Sequence, residues 1–216
     1  GEKTGAPGED FYQDQIFNGA VDNATGAAAL LEIAESMAAE PTDRSVMFLS
    51  VTLEESGLLG SEYFAQHPTV PLPVGRTHDM VVVGYGASEL EDMLTDYLVT
   101  QDRVVKPDPR PEAGSFYRSD HISLAKRGVP MLYADGGEDK LDGGVAAGKA
   151  IAQAYNEQRY HKPMDEYSDD WDLAGNVEDV TALYEVGKSI ADSDKWPTWY
   201  PGNEFEAVRK ASLGEK

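Results

Sequence analysis

Two adjacent carboxylates, Glu54 and Glu55, end the run Val46-Met47-Phe48-Leu49-Ser50-Val51-Thr52-Leu53 and are followed at once by Ser56-Gly57. Side chains that leave a strand in succession point in different directions, so one glutamate can face a metal while its neighbour faces a substrate. Asp22 lies among small residues in Asn18-Gly19-Ala20-Val21-Asp22-Asn23-Ala24-Thr25-Gly26, and His161 lies in Arg159-Tyr160-His161-Lys162-Pro163-Met164-Asp165-Glu166-Tyr167. One Asp, one Glu and one His make a mixed oxygen and nitrogen donor set suited to zinc, and three protein ligands leave a fourth position open for water. Asp22, Glu55 and His161 are the candidate metal ligands, and Glu54 is the candidate general base. Each piece also has a plainer reading. Glu54 and Glu55 can be a solvated acidic turn, and Asp22, Asn23 and Thr25 can simply cap the helix that follows.

The elements that must position these residues alternate along the chain. The run from Val46 to Leu53 lacks polar alternation, so it reads as a strand buried on both faces, with its helix from Leu58 to Gln66. In open α/β sheets ligands bind beyond the carboxyl ends of the strands, which is where Glu54 and Glu55 fall. Upstream, Leu30, Leu31, Ala34 and Met37 recur at helical spacing and Pro41 stops the helix. His67 to Gly75 is a proline-rich connector, and Met80 to Gly84 is a second buried strand. Ser88 to Thr100 is an amphipathic helix with Ser88 as its N-cap. Arg103 to Val105 is a short strand, and Ser119 to Arg127 a short helix closed by Gly128. Val129 to Tyr133 is a strand, and the glycine-rich segment Asp135 to Gly148 reads as mobile. Helices over 150–158 and 177–191 follow. Trp196, Trp199, Tyr200 and Phe205 are expected to pack across the body. The fold class is therefore α/β, a single domain over 1–216 with a mostly parallel or mixed sheet flanked by helices.

Composition narrows the partners. The 216 residues carry 39 acidic against 18 basic side chains, a formal net charge of −21. Such a field repels phosphates and anionic lipid surfaces, so nucleic acid and membrane drop out and cations and free amines are favoured. With no cysteine, any metal must be held by carboxylates and histidines. No segment approaches the ~20 apolar residues of a membrane helix, and Gly1 opens no signal peptide.

Four segments together resemble the co-catalytic zinc aminopeptidases of the aminopeptidase S and aminopeptidase Y type. They are NGAVDNATG from Asn18, FLSVTLEESGLLGSEYF from Phe48, YRSDHISLAKRGVPMLY from Tyr117 and RYHKPMDEY from Arg159, in family order. The resemblance implies a mixed sheet flanked by helices, a peptide substrate with a free N-terminus, and removal of its first residue. It implies that Asp22 bridges two zinc ions, that Glu54 is the base, and that Glu55 and His161 bind one zinc. It further implies a cis peptide bond between Asp22 and Asn23. Tyr117 falls near a tyrosine that steadies the oxyanion in some relatives, in a register one residue from Phe116. Export to the periplasm or medium is implied on the same basis alone.

The chain departs from that pattern in two places. The His-x-Asp segment expected before Asn18 and the Asn-Met-Asp strand end expected after the Glu54-Glu55 helix are missing, so the second zinc keeps only Asp22. A single-zinc glutaminyl cyclase would use the Asp, Glu and His set that remains, and a non-catalytic binding module would use none of it. His121 is expected to orient the site or pack, and Asp165 to support His161 or cap a loop. His67 and His78 read as solvated.

Overall fold

A computed structural model of the chain describes residues 16, 18–50 and 75–214. Glu54, Glu55, His67 and the helix expected over 58–66 lie outside the described residues.

At the centre is β1 (Asp79–Val83), whose five residues are all buried. A run of valines with no polar alternation suits a strand covered on both faces. It pairs in parallel with β2 (Val104–Pro107), Met80 opposite Val105, and antiparallel with β3 (Tyr133–Gly136), Val82 opposite Ala134. The order β2-β1-β3 makes a mixed sheet, as the sequence pattern implies. Between β1 and β2 the chain crosses over through α2 (Leu90–Leu98), the connection a parallel pair requires. The other α-helices among the described residues are α1 (Gly26–Ala39), α3 (Ile122–Ala125), α4 (Gly144–Gln158), α5 (Ala174–Ala191) and α6 (Glu206–Ser212). None is long and apolar enough to cross a membrane among the described residues.

Two apolar clusters hold these elements together. Met80 and Val82 pack with Leu94 and Leu98 of α2, Ala134 of β3, and Ala182 and Val186 of α5. Behind the end of β1, Ala87, Ile122, Ala125 and Met131 enclose Trp199 and Phe205 from the C-terminal segment. The indole of Trp199 is 2% exposed and donates to the Gly128 carbonyl at 3.0 Å. Trp199 and Phe205 thus pack across the body, whereas Trp196 is 64% exposed and receives the Arg44 guanidinium 4.4 Å above its ring. Under the sheet, Arg103 is buried with one terminal nitrogen bonded to Asp179 at 2.5 Å, Thr77 at 3.0 Å and the Asp79 carbonyl at 2.8 Å.

Several local expectations are corrected. Residues 45–50 form no strand, and Met47 is 71% exposed; an apolar run is a strand only where a neighbouring ladder takes up its backbone groups. Ser88 is not the cap of α2. Glu91 accepts the N–H groups of Gly86 and Ala87, each at 2.7 Å, while the Ser88 hydroxyl turns to the Met131 carbonyl. The third strand starts at Tyr133 rather than ending there. The glycine-rich segment begins in β3 and ends in α4, and along it Gly137 packs against Asp79 and Gly148 against Glu138, both too close for a Cβ.

Candidate metal centre

Asp22 and His161, far apart in sequence, meet with Oδ2 and Nε2 3.1 Å apart. Each side chain keeps about a third of its surface, 32% and 37%, so the pair opens to solvent.

The Asp22 side is a tight turn, Ala20–Thr25, entered through Gly19 at φ 61 and leading into α1. Gly19 is required there because a Cβ would strike the Asp22 backbone carbonyl. The Asp22–Asn23 peptide bond is cis, as the resemblance implies. Asn23 and Thr25 tie the turn down, Asn23 Oδ1 accepting the Gly26 N–H at 2.9 Å and the Thr25 hydroxyl donating to the Val21 carbonyl at 2.8 Å. Of the three residues in the capping reading it is Asn23 that takes up a helix N–H, while the Asp22 carboxylate faces His161.

The His161 side follows α4. The helix ends at Gln158, and His161 takes the left-handed conformation at φ 57. A non-glycine residue there is uncommon and marks a position held by its surroundings. Tyr160 stacks on the His161 ring with centroids 3.8 Å apart.

Asp165 joins the two sides. Its carboxylate, 2% exposed, accepts the Val21 N–H at 3.2 Å and the Asp22 N–H at 3.1 Å, and its carbonyl accepts the Ala20 N–H at 3.0 Å. Of the two roles open to Asp165, these bonds are those of the capping one, and the loop it ties down is the one that carries Asp22. The Tyr155 hydroxyl is pushed up in pKa by burial and then by the charges of Asp165 and Asp22. The sequence pattern singles out neither Tyr155 nor Tyr160, although Tyr160 directly precedes His161 and Tyr155, on α4, lies six residues before it.

A carboxylate oxygen and an imidazole nitrogen 3.1 Å apart fit a zinc site, since neighbouring donors on a tetrahedral ion with ~2.0 Å bonds stand about 3.3 Å apart. No group of three His, Asp or Glu side chains converges among the described residues. The third expected donor, Glu55, and the expected base, Glu54, fall outside them.

The remaining candidates lie elsewhere. Tyr117 is 56% exposed and its hydroxyl donates to Glu204 at 2.6 Å, which raises its pKa. The phenol in contact with His161 is Tyr160, not Tyr117. His121 packs, 4% exposed, edge-on against Phe116 and Tyr133, and burial lowers its pKa to about 4, so it is neutral at pH 7. Beside it Asp120 is wholly buried, with neither carboxylate oxygen bonded among the described residues. His78 is exposed, as expected.

Residues 5–184, which include the sheet and both members of the aspartate–histidine pair, match Peptidase family M28, and the chain belongs to that family. Over 49 residues it is 39% identical to aminopeptidase YwaD of Bacillus subtilis (strain 168), a match covering 23% of this chain and 11% of that relative. No solved structure matches the chain.

Proposed function

We propose that this chain is a zinc-dependent metallopeptidase that removes N-terminal residues from peptides. The observation that carries the reading is the solvent-facing Asp22–His161 pair, anchored through Asp165, in a chain of family M28. The aminopeptidase direction has support from the partial likeness to aminopeptidase YwaD.

In this reading Asp22, Glu55 and His161 hold one zinc ion, and export of the protein is the accompanying proposal. When bound, zinc supplies Lewis acidity to the attacking water and the scissile carbonyl. Glu54 takes the proton from that water and returns it to the leaving amine, the double role of a carboxylate beside the reacting atoms. Asp165 keeps the Asp22 backbone from moving as charge develops. Tyr160 limits the rotation of His161 by covering one face of its ring.

The test is release of the first residue from an unblocked peptide, followed by mass spectrometry, with zinc content measured on the same sample. Glu54→Gln should lower turnover by about 10²–10⁴-fold, the usual contribution of a general base, while zinc per chain is unchanged. Equal turnover in that variant removes Glu54 from the mechanism. Conversion of a glutamine-led peptide to its cyclised form, without cleavage, would replace the peptidase reading with a cyclase one.

A further inference from the structure

A second site stands beyond the carboxyl ends of the parallel strands β1 and β2. A cavity of ≈ 190 Å³ opens there, and its lining shares no residue with the Asp22–His161 pair. Crevices at this end of a parallel pair are where α/β sheets take ligands. The volume falls below the ~300–1,000 Å³ of clefts for drug-sized molecules, so it suits one side chain rather than an extended ligand.

Its walls are aromatic. Phe116 and Phe205 are stacked with centroids 6.4 Å apart, and Tyr117 sits edge-on to Phe116 at 5.3 Å. Phe116 can enter only because Gly84, at φ 80, has no Cβ to meet its ring. The polar part is acidic. Asp108, the residue after β2, and Glu204, from the segment before α6, both line the cavity, and among the described residues no lysine or arginine does. Asp108 is fixed by the Arg110 N–H at 2.8 Å, and Glu204 by the Tyr117 hydroxyl at 2.6 Å. Both of these donors are neutral groups. Two held carboxylates above aromatic faces complement an alkyl chain ending in a cation: the rings take the methylene stem and face the charge, and the carboxylates pair with it.

We infer that this cavity binds a lysine or arginine side chain of a peptide, with Asp108 and Glu204 as the charge-reading residues and Phe116 and Phe205 as the walls. The inference stands on the cavity alone and does not depend on peptidase activity. Recognition is of the side chain, so it holds for a residue whose α-amine is blocked.

The experiment uses the full chain and two probes with the same four-carbon side chain, Nα-acetyl-lysine N-methylamide, which ends it in an ammonium, and Nα-acetyl-norleucine N-methylamide, which does not. Neither has a free N-terminus, so neither reports on aminopeptidase chemistry. Titration followed by NMR or calorimetry should show the lysine probe binding at least about tenfold more tightly, the equivalent of a single charge-assisted contact. The preference should shrink in Asp108→Asn and in Glu204→Gln, and at raised salt. Both replacements are isosteric and thermal melts establish that the variants are folded. Equal affinity for the norleucine probe overturns the inference, as does absence of lysine binding. Retention of the full preference in both folded variants also overturns it.

Discussion

Asp165 Oδ2 accepts the backbone N–H of Asp22 at 3.1 Å, across 143 residues of sequence. The bond falls on the backbone of the candidate ligand rather than its side chain, so it sets where the Asp22 carboxylate points while leaving both of its oxygens for other partners. Groups that orient metal ligands in this way are worth about 10–100-fold in metal affinity. Asp165→Ala should therefore weaken zinc binding by roughly that factor in competition with a chelator. The loss should exceed that in Asp165→Asn, which keeps one acceptor oxygen. Unchanged affinity in both variants would show that the turn holds its shape without Asp165.

The buried imidazole of His121 predicts a pH dependence of stability. Its pKa is lowered to about 4 by burial, against an ordinary 6.5 in the unfolded chain. The folded protein binds fewer protons than the unfolded chain between those values, so the contribution is complete above pH 6.5 and is lost as pH falls toward 4. The ceiling is about 3 kcal/mol. Chemical denaturation at pH 7 and pH 4.5 should give a smaller difference for His121→Gln than for the parent chain.

Asp135 acts with the opposite sign. Burial and the neighbouring charge of Asp108 raise its pKa to about 6, while the Gly136 N–H acts the other way. The folded chain then binds more protons than the unfolded one between about pH 4 and 6, and stability falls as pH rises through that window. Asp135→Asn should stabilise the protein by about 1–2 kcal/mol above pH 7 and hardly at all near pH 4. Equal effects at both pH values would locate the benefit in packing rather than in charge.

The Arg103–Asp179 pair under the sheet is a structural ion pair, with both side chains nearly excluded from solvent. Arg103→Met leaves Asp179 buried without its cation and should cost about 3–5 kcal/mol. The double replacement Arg103→Met, Asp179→Leu removes both charges and should recover most of that loss. Urea midpoints of the three proteins measure it. A double variant as unstable as the single one would mean that Arg103 acts chiefly through Thr77 and the Asp79 carbonyl.

The elements legible in the sequence are those whose signal is local. The valine run of β1, the periodic apolar residues of α1, α2 and α5, and the Gly128 stop all depend on residues a few positions apart, and all are present. The four motif segments likewise carried the family, which residues 5–184 show. Misreadings arose where a side chain chose between a local and a distant partner. Ser88 has the chemistry of a cap, but its hydroxyl turns to the Met131 carbonyl, and Glu91 takes up N–H groups of the turn before the helix.

Residue types alone determined that a metal in this protein must be held by carboxylates and imidazoles, and that its acidic surface favours cations. The motif segments imply that His161 meets Asp22, and only the tertiary structure decided that Asp165 holds the Asp22 backbone and that Tyr117 answers to Glu204 while Tyr160 covers His161. The physical reason is range. Periodicity, turns and caps follow from steric and hydrogen-bonding preferences a few residues long. The direction of a side chain across the chain follows from which distant backbone is packed beside it.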